Sequence, residues 1–511
     1  MDHRSLGGSR IASWDSASAV EYAEEILRAF KRFGPGIRPE SENLGALDLS
    51  RIFHSLGTAV LNLASAQGRL PWLKNWLAAF YGRLSAAEKS WLDALGLREA
   101  LVRRPVRWGR AAQDAAFENI ARTIILSRPP LRSHPKNALR SDEIVWGRAP
   151  ARLDLGGGWT DTPPYSLERG GCVINAAVDL NGQPPIQAYA RVVAELEVRI
   201  SSIDHGSRAV IRTLDDLLDY RLPTSQFGLA KAALALAGFS PETAAWPRGT
   251  RTLRDMLRAF GGGIELTTLA AIPSGSGLGT SSIMGAVLAA VVQRMTGQKP
   301  GARELFHDVL RLEQELTTGG GWQDQVGGVL PGVKMITTGP GLIPDPGVQY
   351  ITPDVLDPKT NGGQTLLYYT GLRRLAKNIL RNVVGNYLDR EPEAIKTLGE
   401  LHDFPRRMSE AMAAKDAAAF GRLIDVAWRL NKRIDPASTT PEIEAILAKI
   451  RPHIFGAKLL GAGGGGFLLI AARSQKDAAR ARAKLEADPP NARARFFDYG
   501  ISREGLSVTV C

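Results

Sequence analysis

Cysteine is almost absent: 511 residues hold two, Cys172 and the terminal Cys511. Two such positions build neither a disulfide framework nor a metal-ligand spacing, so a reducing, cytoplasmic setting is expected. No apolar run approaches the roughly 18 residues that span a bilayer. The start, Met-Asp-His-Arg-Ser-Leu-Gly-Gly, lacks the apolar stretch of a signal peptide, so no membrane partner is expected. Acidic residues are outnumbered, and the net charge is +12. Residues 1–140 carry 21 Lys and Arg against 13 Asp and Glu, most of the excess. These bases are scattered among helical patterns, and no stretch is built like a nucleic-acid-binding motif. The basic front is therefore expected to be a solvated surface, and no nucleic-acid partner is expected.

What is present is a globular composition, 44% hydrophobic and 23% charged, long enough for two to four domains. Residues 1–140 read as a helical segment. Ala19, Tyr22, Ile26, Leu27 and Phe30 share one helical face, which Gly34-Pro35-Gly36 ends. Further helices are expected over about 48–66, from Pro71 through Trp72, Trp76 and Phe80, from the capping box Ser85-Ala-Ala-Glu88, and over about 108–126. The tryptophans sit at helical spacing among apolar residues and read as core anchors. Pro129-Pro130 and His134-Pro135 mark a linker, and nothing in the segment indicates its role.

After Ser141 strands begin. Ile144–Trp146, Arg152–Leu155, Cys172–Leu180, Ile186–Val193 and Leu196–Ile203 read as a β-meander, with Asn181-Gly182 as a hairpin turn. From about Lys334, strands such as Gln364–Thr370 are followed by helices over about 372–391, 393–413, 415–432 and 441–451. Strands and helices fall in blocks, which favours an α+β fold over a doubly wound sheet.

Four stretches carry chemistry. The first is a strand over 264–272, the loop Pro273-Ser-Gly275-Ser276-Gly277-Leu278-Gly279-Thr280-Ser281-Ser282, and an apolar helix to Met295. Strand, glycine loop and helix start together make an anion cradle, because backbone N–H groups of the first turn face the anion. The loop lacks the lysine of a Walker A motif, and Thr280 breaks the dinucleotide pattern. The second is Leu312-Glu313-Gln-Glu315 followed by Gly319-Gly-Gly-Trp-Gln-Asp324, where Asp324 on a glycine-lined segment suits a general base or a metal-sharing acid. The third runs from Arg148 through Arg152, a triglycine and Asp161 to Tyr165. The fourth is Gly461-Ala-Gly-Gly-Gly-Gly466 between apolar strands, which suggests close approach of backbone to a ligand.

In this order the motifs resemble those of the galactokinase, homoserine kinase, mevalonate kinase and phosphomevalonate kinase (GHMP) superfamily. Motif one is Pro150-Ala-Arg152 through Tyr165, motif two Pro273 through Ser282, and motif three Lys458 through Phe467. Within it, Gly-Gly-Trp159-Thr-Asp-Thr-Pro-Pro, Gly170-Gly171 and Val178 through Ile186 look most like L-fucose kinases, with heptose 7-phosphate kinases next. The resemblance implies an α+β, two-domain GHMP kinase fold with an extra N-terminal helical segment. Residues 1–140 would be that segment, 141–335 the N-terminal kinase domain and 336–511 the C-terminal one.

It also implies an ATP-dependent sugar 1-kinase using Mg²⁺, acting on L-fucose, with a heptose 7-phosphate kinase as the alternative. A non-catalytic sensor or nucleic-acid-binding protein on the same fold is the remaining rival. Pro273, Gly275, Ser276, Gly277, Leu278, Gly279, Thr280, Ser281 and Ser282 would then hold ATP. Ser281 and Glu313 would hold Mg²⁺, Glu313 being chosen over Glu315 because the family spaces this acid eleven residues before the aspartate. Asp324 would take the proton from the sugar hydroxyl or orient it, and Arg152 would stabilise the transferring phosphoryl group. Gly158, Trp159, Thr160, Asp161, Gly463 and Gly464 would contact the sugar. Fucose kinases of this type often carry a nucleotidyltransferase upstream. Residues 1–140 are too short for one, so a stand-alone kinase or the kinase end of a longer protein is expected.

Overall fold

The computed structural model describes residues 43–65, 70–94, 96–127, 129, 131–222, 224–299, 301–316, 319–372 and 376–511. The helix expected over 19–30 and its glycine stop lie outside the described residues, as do the side chains of Trp72 and Glu88. The front of the chain is helical as expected, with helices Asn43–Ser65, Leu70–Gly82, Ala86–Ala94 and Pro105–Ile125. Leu49, Phe53, Leu56, Val60 and Leu63 recur at three- and four-residue spacing and are all buried. Pro105 opens its helix at the first helical position, where no amide hydrogen is required. Trp108 is a core anchor: it is buried, and its indole N–H donates to the Tyr81 hydroxyl at 3.2 Å. Trp76 is only half-buried and stacks on Phe80. The same apolar cluster takes in Leu310, Leu342, Val384 and Leu388 from the rest of the chain, so the helical front packs onto the body that follows it.

Among the described residues the strands form three sheets. A six-stranded sheet runs in the order Ser507–Val510, Val145–Ala149, Ile186–Val193, Gly263–Ala270, Val198–Ser202, Ser207–Ile211. A five-stranded sheet is built around Gly171–Leu180, with Ala151–Gly156 on one edge and Val333–Thr338 and Tyr499–Ile501 on the other; Gly347–Ile351 pairs Val333–Thr338. The third sheet has the order Ile454–Leu459, Phe467–Ala472, Thr365–Tyr369, Arg495–Phe497.

This corrects the meander. Asn181 and Gly182 do turn in the left-handed region, but the strands on either side enter different sheets and do not pair along their length. The turn chemistry is local, whereas the destination of the next strand depends on which sheet has an open edge. Pro150 makes a comparable switch. It separates Val145–Ala149 in the six-stranded sheet from Ala151–Gly156 in the five-stranded one, and having no amide hydrogen it suits the break in both ladders. The expected division at 335/336 falls within the strand Val333–Thr338, and the last strand, Ser507–Val510, returns to pair Val145–Ala149.

The four helices Ala376–Leu388, Pro392–Ala413, Ala417–Ile434 and Pro441–Ile450 lie close to their expected bounds. Phe404, Met408, Ile424 and Trp428 are buried on them.

Candidate active site

The loop from Ser274 to Gly279 reaches its shape through glycine. Gly275, Gly277 and Gly279 all lie at positive φ, and Gly279 is the N-cap of the helix Thr280–Met295. A Cβ on Gly279 would stand 3.1 Å from Asp324 Cγ and 3.2 Å from Arg152 Cγ, so only glycine lets the helix start approach that pair. Arg152 is tied to the loop twice: its backbone N–H donates to the Leu278 carbonyl at 3.2 Å, and its Nη1 donates to the Gly277 carbonyl at 3.3 Å. The strand Ala151–Gly156 and the glycine loop are therefore a single unit.

Arg152 is buried, and Asp324 lies in the first turn of the helix Gln323–Val329. The guanidinium Nε donates to Asp324 Oδ1 at 2.7 Å, and Nη2 donates to the same oxygen. Burial works against the charge on Arg152, but Asp324, Asp154 and Asp161 outweigh it and hold the guanidinium above its ordinary value. Asp161 is buried and accepts the Gln323 backbone N–H at 3.1 Å. Burial, with the nearby Asp324 carboxylate, pushes its pKa up to about 7.

A second buried pair supports the first. Lys458 Nζ donates to Asp154 Oδ2 at 2.7 Å and to the Asp154 carbonyl at 2.9 Å, and Gln323 Nε2 donates to Asp154 Oδ1 at 3.1 Å. Burial opposes ionisation of Asp154, but Lys458 and Arg152 overcome it and hold the carboxyl below its ordinary value. Neither Asp154 nor Gln323 was singled out by the sequence analysis, and Lys458 figured there only as the start of motif three. One signal was available for Asp154: a carboxylate set between two leucines, Leu153-Asp154-Leu155.

Arg152, Asp154, Asp161, Gln323 and Asp324 line a cavity of about 330 Å³ that also takes in Gly158, Trp159, Ser281, Ser282 and Glu313. Trp159 holds a positive φ, a conformation rare for a bulky residue and typical of constrained functional loops. Thr160 is buried, and its hydroxyl donates to the Gly157 and Cys172 carbonyls, bracing the loop. Ser281 also lines a second cavity, of about 440 Å³, together with Ser274, Gly275, Thr280, Phe227 and Met284. Leu278 and Ser276 are both buried. Residues 202–207 and 226–230 of this second cavity were missed by the sequence analysis, since they converge from separate elements. Glu315 faces elsewhere: it accepts Arg221 Nε at 2.8 Å, while Glu313 lines the cavity that holds the Arg152–Asp324 pair.

The turn Gly461–Gly466 needs its glycines for loop-to-loop packing. A Cβ on Gly277 would collide with the Leu460 carbonyl, and the Phe467 backbone N–H donates to the Ser276 carbonyl at 2.9 Å. Gly461 and Ala462 line the cavity of the Arg152–Asp324 pair. Gly463 lies against Ser438, and the Gly464 backbone N–H donates to the Ser438 carbonyl, so these two expected sugar contacts fall beyond the lining residues.

The chain is 41% identical over 400 residues to the L-fucokinase/L-fucose-1-P guanylyltransferase of Bacteroides fragilis, covering 78% of this chain and 42% of that protein. It is 32% identical over 367 residues to the bifunctional fucokinase/GDP-fucose pyrophosphorylase of Arabidopsis thaliana, covering 70% of this chain and 33% of that protein. The chain thus spans less than half the length of either relative. Among solved structures, Lactococcus lactis galactokinase complexed with galactose shares the fold, with a TM-score of 0.51 and 16% identity over 72% of this chain and 95% of that one. Residues 249–332 match the GHMP kinases N terminal domain and residues 408–491 match GHMP kinases C terminal. The chain thus carries the N-terminal and C-terminal domains of the GHMP kinases, in that order.

Proposed function

We propose that the chain is an ATP-dependent sugar kinase that phosphorylates the anomeric hydroxyl of L-fucose to give L-fucose 1-phosphate. The observation that carries the kinase reading is the Arg152–Asp324 pair in a cavity that Ser281 joins to a second one. The choice of L-fucose is supported by the names of the two relatives.

Phosphoryl transfer asks a protein for positioning and charge stabilisation more than for covalent chemistry. The larger cavity, with Phe227 and Met284 on its walls, takes the nucleotide, and the backbone amides from Gly275 to Thr280 receive its phosphates. Ser281 and Glu313 fit Mg²⁺, because a hydroxyl and a carboxylate on one cavity offer the hard oxygen donors that this ion prefers, leaving other positions to phosphate and water. When bound, the ion supplies neutralisation of phosphate charge.

Asp324 accepts the proton of the sugar hydroxyl. Among the described residues, both hydrogen bonds from Arg152 land on Oδ1, which makes Oδ2 the accepting oxygen. Arg152 holds the carboxylate in place through those bonds and offers positive charge to the transferring group. Asp161, with Gly158 and Trp159 beside it, holds the sugar hydroxyls.

The test is a panel of free sugars and sugar phosphates incubated with Mg-ATP, with phosphorus NMR of the product. L-fucose is expected to be consumed and to give an anomeric phosphate. Consumption of a heptose 7-phosphate in preference to L-fucose would overturn the assignment.

A further inference from the structure

A third compartment, of about 300 Å³, adjoins the reaction cavity. Leu380 lines both, and the two abut through the neighbours Thr162 and Pro163, Glu313 and Gln314, and Gly320 and Gly319. It shares no lining residue with the nucleotide-side cavity, so the three spaces form a series with the reaction cavity in the middle.

One wall belongs to the helical front: Asp114, Phe117, Glu118 and Ala121 lie on the helix Pro105–Ile125. The helical front is fastened to the rest of the chain by polar contacts, most of them from the neighbouring helix Asn43–Ser65. Glu168, just after the motif-one loop, accepts Arg51 Nη2 from the first front helix, Arg390 Nη2 at 2.7 Å, and the Tyr387 hydroxyl. Asp389 accepts the Ser55 hydroxyl at 3.0 Å and the Thr58 hydroxyl at 2.9 Å, and is hydrogen-bonded to His54 Nδ1 at 2.9 Å. Arg381 pairs with Asp114 and lies 4.8 Å over the Phe117 ring.

A space of this size far exceeds a packing gap, since voids larger than a water molecule are few in a protein interior. Its chemistry is mixed: Glu118 and Gln314 offer hydrogen-bonding groups, while Phe117, Ala121 and Leu380 offer apolar surface. That combination suits a neutral polyhydroxylated ring, with hydroxyls on the polar groups and a C–H face on the aromatic one. Arg381 also lines the space and offsets Asp114, so the remaining negative charge is that of Glu118, which disfavours an anion in the same place.

We infer that this compartment is an outer acceptor subsite, walled by the N-terminal helices, that takes the end of a neutral sugar remote from the hydroxyl being phosphorylated. The inference rests on the sugar-kinase reading of the reaction cavity. It assigns the helical front a role in choosing the acceptor, with Ala121 and Phe117 as specificity-determining residues.

The test is steady-state kinetics of the full chain with Ala121→Phe and, as a smaller intrusion, Ala121→Leu, each checked for an unchanged Tm. Filling the compartment is expected to raise the KM for the sugar at least tenfold in Ala121→Phe, and less in Ala121→Leu, with the KM for ATP within twofold. A folded variant of either kind whose sugar KM stays within twofold of the wild type overturns the subsite. The variants are read with whichever neutral sugar the wild type phosphorylates. A sugar other than L-fucose therefore overturns the substrate assignment while the KM ratio still decides the compartment. A wild type that phosphorylates no neutral sugar overturns both.

Discussion

Arg152 Nε stands 2.7 Å from Asp324 Oδ1, joining the strand of motif one to the helix that follows the Gly319–Gly321 run. The pair is partly buried, with the arginine side chain 5% and the aspartate 28% exposed, so the carboxylate faces the cavity while the guanidinium supports it from within.

Asp324→Asn keeps the shape and removes the proton acceptor. It is expected to lower kcat by about 10²–10⁴-fold, the usual worth of a positioned base, while leaving ATP affinity nearly unchanged. Turnover and nucleotide titration on the same preparation check this, and undiminished turnover would remove Asp324 from the chemistry.

Gly279→Ala places a methyl group 3.1 Å from Asp324 Cγ and forces an L-residue to φ 73°. The left-handed conformation alone costs roughly 1–2 kcal/mol. Displacement of the pair is expected to cut kcat by about 10–100-fold, the scale of a misplaced catalytic group. A crystal structure of the variant with the pair undisturbed and full activity would contradict this.

Lys458→Met leaves the Asp154 carboxylate buried without its ammonium partner. Breaking a buried pair from one side costs about 3–5 kcal/mol. Chemical denaturation should show that loss, and the double variant Asp154→Asn, Lys458→Met should recover part of it. If the single variant is as stable as the wild type, the pair contributes no net stability.

Asp161 has its pKa raised from 3.8 to about 7 by burial and by Asp324. The folded state therefore binds more protons than the unfolded chain between those two values. Its contribution to stability is present at low pH and is lost as pH rises through about 7. Asp161→Asn should flatten that part of the Tm-against-pH curve. The ionised carboxylate is the form that accepts sugar hydroxyls, so kcat/KM for the sugar should rise with pH near 7 in the wild type and not in the variant.

Helix bounds in the second half of the chain were legible because apolar spacing and proline or aspartate starts are local signals. Pro392 and Pro441 open their helices at the first position, and Asp416 caps its own through the Ala419 N–H. The positive-φ loop before Thr280 was equally legible, since its glycines act within a few residues. Asn181-Gly182 shows the limit of such signals: it specifies a turn and says nothing about the sheet that the next strand joins.

The choice of Glu313 over Glu315 rested on the spacing that the family resemblance implies, and the fold separates the two because they lie two residues apart on a helix and so project about 200° apart. Asp154, Gln323 and Lys458 could not be grouped beforehand, as the residues that meet are up to 304 apart in sequence.

From its residues alone, the chain determined where its loops turn, where its helices begin and which motif order it carries, because φ preference, capping and apolar period act over one or two turns. Only the tertiary structure decided that Arg152 meets Asp324, that the motif-three turn packs on Ser276 and Gly277, and that the N-terminal helices wall a compartment beside the reaction cavity. Those contacts join distant segments, and burial and sheet pairing across the whole fold select them rather than any local preference.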